Sequence, residues 1–448
     1  MKDLKVHFLG IGGSGASAVA SIAQNEGFAI SGCDKNPFNE FTKVFDAKKL
    51  FEGHSPEHLK DIDILTVTPA IYSLDPNNPE LEEAKKLGIP ILTWQEFMGK
   101  YLEKDKFVIA ICGTHGKTTT TAMIGQLLED AGFDPTVEVG AIVPKWGTNY
   151  RLGKGKYFIT EADEFNDNFL VTHPDITICT TIEMDHPEYF KDFESYKKSF
   201  KKFLSQTKEK IIANLSDKGI MDVIARSETT KQSRSEIASP ASLDRNDNII
   251  DNIIDYSEKL IDFPLQIPGK HNILNASAVF QLGLSLKIDP EIIKKSLMNF
   301  SGVGRRFEKI GELNGAQIIS DFAHHPTEIK VTLEGAKEKF PDKKIILVFQ
   351  PHMFSRTKAL FDDFVKVLKN SPAERTYILD IFPSREVDTG LVNTQQLVDA
   401  INQENVKYIN SYDKLLDLLP KEIKEDNLVI FMGAGDNHKL ALKLMNPN

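Results

Sequence analysis

The run FVIAICGTHGKTTTT, residues 107–121, constrains the fold more than any other stretch. Six apolar residues suit a buried strand. The threonines open a helical pattern that puts Met123, Ile124, Leu127 and Leu128 on one face. Gly113, Thr114, His115 and Gly116 must join the two in one tight turn. Glycines there let backbone N–H groups turn toward phosphate oxygens, and the helix N-terminus favours negative charge. Lys117 has the reach for β- and γ-phosphates, and the Thr118 hydroxyl can sit on Mg2+. The spacing departs from G-x-x-x-x-G-K-[ST], because Ile111 stands where the first glycine would be. A strand feeding such a loop belongs to an open α/β sheet, with its ligand beyond the carboxyl ends of the strands.

A second glycine loop lies near the start of the chain. Gly10, Gly12 and Gly15 fit G-x-G-x-x-G, with Gly13 extra, and Asp34 follows the next apolar run as a ribose-binding acid would. Alone this reads as a dinucleotide site. A nicotinamide enzyme has no use for the second loop, whereas a nucleotide-linked substrate beside ATP would use both.

The remaining polar clusters follow apolar runs. TEADE offers Glu161, Asp163 and Glu164, and IEMDH offers Glu183, Asp185 and His186, all oxygen or imidazole donors suited to Mg2+. PGKHNILNASA sets His271 and Asn275 one helical turn apart, suited to a planar base. GVGRRFE carries Arg305 and Arg306, either able to reach a transferring phosphoryl group. DFAHHPTE and FQPHMFSRT place His324, His325, His352 and Arg356 just after strands, where an arginine could hold a small carboxylate.

At 448 residues the chain exceeds one ordinary core. Alternating strand and helix patterns divide into three α/β units: 1–103, 104–304 and 305–448. The polar stretch KYLEKDK, 100–106, reads as a linker, and residues 226–247 as a flexible surface insertion. A net charge of −10 argues against general affinity for nucleic acid or anionic membrane. Three cysteines without CxxC spacing read as reduced structural thiols, with neither a disulfide framework nor a zinc site. The short apolar run after MKDLK is no signal segment, so the cytoplasm is the expected compartment.

Taken in order, GIGGSG, GTHGKTTTT, EADE, IEMDH, PGKHNILNASA, GRRFE, DFAHHPTEIK, FQPHMFSRT and FMGAGD make the chain resemble the Mur ligases, ATP-dependent amide-forming enzymes of peptidoglycan synthesis. The resemblance implies a Rossmann-like N-terminal domain, a central P-loop ATPase-like α/β domain and a C-terminal Rossmann-like α/β domain. It is nearest to the branch that joins L-alanine to the lactyl carboxylate of UDP-N-acetylmuramate through an acyl phosphate, with ATP and Mg2+. A tripeptide-adding branch and a non-catalytic nucleotide-binding relative are the alternatives. A monomer or homodimer acting on small molecules is implied, with no nucleic acid and no membrane insertion.

By the same resemblance, Gly10, Gly12, Gly13, Ser14, Gly15, Asp34 and His54 would hold the UDP part. Gly113, Thr114, Gly116, Lys117, Thr118 and Thr119 would hold ATP phosphates. Thr118, Glu161 and His186 would ligate magnesium. His271 and Asn275 would hold adenine, Asp321 the ribose and Arg306 the γ-phosphate. Lys117, Glu161, His186 and Arg306 would be the catalytic set. Phe322, His324, His352 and Arg356 would line the amino-acid pocket. Three positions depart from the family pattern: Thr181 for asparagine, Phe322 for tyrosine and Met353 for arginine. Where some relatives carry a carbamylated lysine, Phe200 stands.

Overall fold

The computed structural model describes residues 4–224 and 252–446. The segment 226–247, expected as an insertion, lies outside the described residues. Three sheets organise the chain. The first contains β1 (Lys5–Leu9), β2 (Ala29–Asp34), β3 (Leu50–Glu52), β4 (Ile64–Val67) and β5 (Ile91–Thr93). All its pairings are parallel, in the order β3-β2-β1-β4-β5. The order reverses at β1, and GIGGSG follows that strand, where open α/β sheets bind ligands.

The second sheet contains β6 (Phe107–Cys112), β7 (Thr136–Val143), β8 (Thr148–Arg151), β9 (Tyr157–Glu161), β10 (Ile176–Cys179), β11 (Lys210–Ala213) and β12 (Ile253–Asp255). Their order is β12-β11-β10-β6-β9-β7-β8, so the strand before GTHGKT is flanked by β9 and β10. The third contains β13 (Glu308–Leu313), β14 (Ala316–Asp321), β15 (Lys344–Phe349), β16 (Arg375–Ile378), β17 (Val406–Tyr408) and β18 (Asn427–Met432). It runs β13-β14-β18-β15-β16-β17, with only β13 antiparallel among its pairings.

Two compact units result. One comprises the described residues of Met1–Met184, Tyr189–Phe263 and Leu274–Met298, with the first two sheets. The other comprises Asp185–Glu188, Pro264–Ile273 and the described part of Asn299–Asn448, with the third sheet. The first two sheets share apolar packing. Phe8, Val19, Phe97, Met98 and Leu102 cluster with Val108 and Phe158 of the second sheet. The stretch expected as a linker takes part in that core. Leu102 and Glu103 are buried, and the Tyr101 ring lies 5.0 Å from that of Phe97. Its polar letters mislead because Glu103 is buried with its carboxyl taking the Thr172 hydroxyl at 3.3 Å. Burial pushes Glu103 up to about 8, so it can sit there protonated.

The inner residues of β6 are apolar on both faces, as a covered parallel sheet requires, and in β10 only Thr177 is polar, its hydroxyl paired with Thr207 at 2.6 Å. The helix Lys117–Asp130 buries Thr118 to Leu128 almost throughout. In the second unit the helix Pro326–Lys339 starts at a capping box. Glu328 reaches back to the His325 N–H at 3.2 Å, and Thr327 N–H donates to His325 Nδ1 at 3.3 Å.

The shared core makes a stability prediction. Phe158 is 1% exposed, and Phe158→Ala should cost about 3–5 kcal/mol. Urea unfolding would read this as a lower midpoint for the first unit, with the helical content of the native state unchanged.

Candidate active site

The loop after β6 is built around two positive-φ glycines, Gly113 at 129° and Gly116 at 82°. A Cβ on Gly113 would lie 2.2 Å from Thr180 Oγ1, and one on Gly116 would lie 2.6 Å from Asn275 Oδ1. Both positions therefore need glycine for conformation and for space. The loop is pinned to β10's extension: Thr114 N–H donates to Thr181 O at 2.9 Å, and Thr180 Oγ1 donates to His115 O at 2.5 Å. His115 N–H bonds Thr181 Oγ1 at 3.2 Å. Threonine in place of the family's asparagine at 181 thus still fastens the loop. His115 Nε2 also contacts the Glu183 carboxylate.

Lys117 opens the following helix, and its ammonium turns back into the loop. It donates to Gly113 O at 2.5 Å and to Glu164 Oε2 at 2.8 Å. Burial would lower its pKa, but Glu164, Asp163 and Glu161 raise it above the usual lysine range, so it is a fixed cation. Thr114 Oγ1 and Tyr196 OH are 2.9 Å apart, and Tyr196 OH donates to Glu164 Oε1 at 3.1 Å. At the next residue, Thr118 Oγ1 donates to Glu161 Oε2 at 3.0 Å. Gly140 N–H donates to Glu161 Oε1 at 2.6 Å. Thr118 and Glu161 thus present hydroxyl and carboxylate oxygens to one place, the donor type Mg2+ prefers. Thr119 is buried in the same turn.

Sequence reasoning missed Glu138, because the alternation in β7 is broken by a glycine. It is buried, and its Oε2 accepts from Thr160 Oγ1 at 2.9 Å and from Glu161 N–H at 3.2 Å. Burial, then the Glu161 charge, push it up to about 8. Kept protonated at neutral pH, it can neighbour Glu161 without repelling it. Phe200 is wholly buried against Phe169, with rings 5.3 Å apart.

The first glycine loop has its own lock. Gly12 N–H donates to Asp34 Oδ2 at 3.0 Å, and a Cβ there would meet Asn36 O at 2.8 Å. Gly10 has φ 90°, and Gly13 precedes the helix that begins at Ser14. Gly15 allows Trp94 to approach, since a Cβ would lie 2.6 Å from the indole ring. His54 lies 3.2 Å from Cys33 Sγ, next to Asp34 in sequence.

The second unit gathers Asp185, His186, His324, His352 and Arg356. Arg356, 2% exposed, donates to Asp185 Oδ1 at 2.9 Å and Oδ2 at 3.4 Å. Its Nη1 lies 3.2 Å from His352 Nδ1. Burial would raise Asp185, but Arg356 and three histidines hold it well below the usual carboxylate range. His186, at φ 54°, lies 3.1 Å from Glu188, which also contacts Arg385. The His324 and His352 rings are 5.7 Å apart. Phe322 lies between Arg305 at 4.7 Å and Arg306 at 4.9 Å from its ring centre, a pair of cation–π contacts. Met353, where relatives carry arginine, is buried at φ 71°. Asp321 accepts Phe307 N–H and Ala323 N–H, each at 2.8 Å, and burial raises it to about 6 despite Arg306.

Glu328 is the residue of this unit that sequence reasoning passed over. It takes the His324 N–H at 3.0 Å and lies 3.9 Å from Arg306 Nη1. The capping spacing of HPTE was its signal. The helix Lys270–Ser285 carries both His271 and Asn275, the former in the second unit and the latter in the first.

Burial lowers His324 to about 4 and His352 to about 2. In the unfolded chain both titrate near 6.5, so the unfolded state binds more protons as pH falls below that value. Their contribution to stability is full above pH 6.5 and is lost toward pH 4 and below. Between pH 6 and 4, His352→Gln should flatten the pH dependence of unfolding free energy by an amount approaching about 1.4 kcal/mol per pH unit. Urea titrations at several pH values would measure that slope.

Three domain models match the chain: Mur ligase family, catalytic domain, over residues 5–106; Mur ligase middle domain over 111–283; and Mur ligase, glutamate ligase domain, over 305–435. The UDP-N-acetylmuramate–L-alanine ligase of Clostridium tetani is 38% identical, with 97% of this chain and 96% of that protein covered. The protein of the same name from Caldanaerobacter subterraneus is 37% identical, with 100% and 98% covered. Among solved structures, UDP-N-acetylmuramate–alanine ligase from Thermotoga maritima superposes with a TM-score of 0.78 at 26% identity, over 99% of each chain. A murein peptide ligase from Psychrobacter arcticus gives 0.67 at 22% identity, over 99% of this chain and 98% of that one, and shares the fold. With the loop, its carboxylate partners and full-length relatives in agreement, the chain belongs to the Mur ligase family.

Proposed function

We propose that this chain uses ATP to join the amine of L-alanine to the lactyl carboxylate of UDP-N-acetylmuramate, the substrates named in its 37–38% identical relatives. The observation that carries the reading is the loop after β6, which sets Lys117 and Thr118 against Glu164 and Glu161. Residues 1–103 would take the UDP substrate, 104–304 ATP, and 305–448 the amino acid.

A carboxylate is a poor electrophile, because its charge repels an amine and oxide is a poor leaving group. The lactyl carboxylate therefore attacks the γ-phosphorus of ATP, the bond to the β-phosphate oxygen breaks, and ADP leaves. Lys117 and Arg306 spread the charge on the transferring phosphoryl group. Thr118 and Glu161 offer the oxygen donors that Mg2+ prefers, and by the family likeness His186 would join them; the ion would neutralise charge on phosphate oxygens. The neutral amine of alanine then attacks the acyl carbon, and phosphate departs from the tetrahedral intermediate. Gly10 to Gly15, Asp34 and His54 hold the UDP moiety. Gly113, Thr114, Gly116 and Thr119 cradle the ATP phosphates, while His271, Asn275 and Asp321 hold its nucleoside.

His324 and His352, with Phe322 and Arg356, line the amino-acid pocket in this reading. Their lowered pKa values decide what they do there. A peptide α-amino group titrates near 8, and the ammonium of free alanine higher still, so the gap to His324 is more than about 4 units. Moving a proton from ammonium to that ring would cost more than about 5 kcal/mol. The two rings are suited to accept hydrogen bonds that orient the amine, and a water path suits its deprotonation better. The substrates are cytoplasmic precursors, and among the described residues no helix is long and apolar enough to cross a membrane.

The test is phosphate release with ATP, Mg2+ and UDP-N-acetylmuramate, adding one amino acid or peptide at a time and reading product mass. L-alanine should support release with formation of the alanyl amide. Lys117→Met should lower kcat by about 10²–10³-fold. Release only with a tripeptide would move the specificity to the tripeptide-adding branch, and binding without any release would leave a nucleotide-binding relative.

A further inference from the structure

The layer beneath the first sheet holds a polar cluster that the ligase reaction does not use. His7 on β1, Cys33 on β2, His58 in the turn Pro56–Leu59 and Glu80 in the helix Pro79–Leu87 come from four separate segments. Their donor atoms all lie within 4.8 Å of one another. His7, Cys33 and Glu80 are 0% exposed, and they sit beside the apolar cluster of Leu9, Leu59, Leu65 and Leu81. Glu80 Oε1 is 2.9 Å from His58 Nδ1 and 3.1 Å from Cys33 Sγ.

Hydrogen bonding accounts for most of this cluster but serves one nitrogen of His7 poorly. Its Nδ1 is paired with Ser31 Oγ at 2.9 Å. Its Nε2 is buried and lies 3.3 Å from Glu80 Oε2, close enough to interact with that carboxylate but off the alignment of a good hydrogen bond. If Nδ1–H donates to Ser31, the Nε2 lone pair faces a carboxylate oxygen. If Nε2 carries the proton, that proton is misaligned. An imidazole whose far nitrogen is fixed by a hydroxyl while its near nitrogen points at other donors has the arrangement of a metal ligand.

We propose that His7, Cys33, His58 and Glu80 form a binding site for a transition-metal ion, Zn2+ foremost. Mixed nitrogen, sulfur and oxygen donors select zinc-like ions over Mg2+ or Ca2+. Tetrahedral zinc separates its donors by about 3.3–3.6 Å; the three separations from Glu80 are 2.9, 3.1 and 3.3 Å, and every pair of donors lies within 4.8 Å, so adjustments of about 1 Å would seat the ion. One thiolate, one carboxylate and two neutral imidazoles make the loaded site electrically neutral, as burial demands. Binding displaces the thiol proton of Cys33 to solvent. Around the donors, the Phe51 ring stacks on His58 at 4.4 Å, and His54 Nδ1 lies 3.2 Å from Cys33 Sγ, placed to donate to a thiolate. The site also reaches the substrate loop. The Cys33 carbonyl accepts Gly10 N–H at 2.8 Å and Ile11 N–H at 3.2 Å, so clamping Cys33 clamps GIGGSG.

The test uses the full chain, stripped with a chelator and titrated with Co2+ under excess Mg2+. One equivalent should produce thiolate-to-cobalt charge-transfer absorption, bleached by one equivalent of Zn2+, and Zn2+ should raise the melting temperature. Cys112 and Cys179 are paired across β6 and β10, so Cys112→Ser is the control and should keep the band. Cys33→Ser should abolish it, and His58→Asn, at the partly exposed edge, should weaken binding at least about 10-fold. A wild-type chain with neither band nor Zn2+ stabilisation overturns the proposal whatever the variants do. A band that survives Cys33→Ser overturns it as well, and the cluster is then a hydrogen-bonded network alone.

Discussion

The ion pair between Lys117 and Glu164 is the interaction on which the ATP-binding half of this enzyme depends. A buried ammonium is costly unless it is paired and hydrogen-bonded. Here the pair closes a ring: Lys117 to Glu164, Glu164 to Tyr196, Tyr196 to Thr114, and Thr114 back into the loop that leads to Lys117. The ring holds the loop's backbone in shape with its N–H groups ready for phosphate. Electrostatic stabilisation of a transferring phosphoryl group is most effective when the donors need no reorganisation. Were phosphate oxygens to replace Glu164 as partners of Lys117, the Tyr196 hydroxyl would still bond Glu164, and the exchange would not strand a buried carboxylate.

The two units manage buried acid groups in opposite ways. In the first, Glu103 and Glu138 are pushed up to about 8 and can be neutral at pH 7. Glu161 can then carry its charge where Thr118 and Gly140 hold it. In the second, Asp185 is kept charged by Arg356, although it is 5% exposed. The cost of burial is offset by a guanidinium that also leans on His352. This bears on the proposed place of Arg356 in the amino-acid pocket. Its nitrogens are committed to Asp185 and His352, so its effect on a ligand passes through the groups it holds in place.

Much of this was legible in the sequence, and the misses have physical causes. Strands with strong apolar runs, β1, β6, β10, β14, β15 and β18, are plain in the letters, as are the loops that follow them. Short edge strands such as Leu50–Glu52 and Val406–Tyr408 carry no usable period in three residues. The hairpin of β7 and β8 was hidden because Glu138 and Gly140 interrupt its alternation; Glu138 is held inside by the Thr160 hydroxyl and the Glu161 N–H, with burial pushing its carboxyl up. KYLEKDK looked like a linker because nothing in the string says that Glu103 is neutral. Roles that depend on long-range contact were beyond reach: no spacing links Asp185 to Arg356, or brings His7, Cys33, His58 and Glu80 together.

One device recurs at the carboxyl ends of all three sheets, and it was readable without being understood. GCD, ITE and ISD each end an apolar strand with an acid: Asp34, Glu161 and Asp321. Each acid reads from sequence as a group that meets a ligand. Each also takes backbone N–H groups from the segments beside it: Gly12 for Asp34, Gly140 of β7 for Glu161, Phe307 and Ala323 for Asp321. Loops at these ends carry N–H donors that no strand satisfies, and a carboxylate one residue past the core supplies acceptors without lengthening the chain. Fastening and binding are therefore not rival readings of these positions. A carboxylate held by backbone N–H groups is fixed in direction, which suits a group that is to meet a ligand. The same geometry that makes each loop rigid makes each acid a ready partner for a ribose hydroxyl or a metal ion.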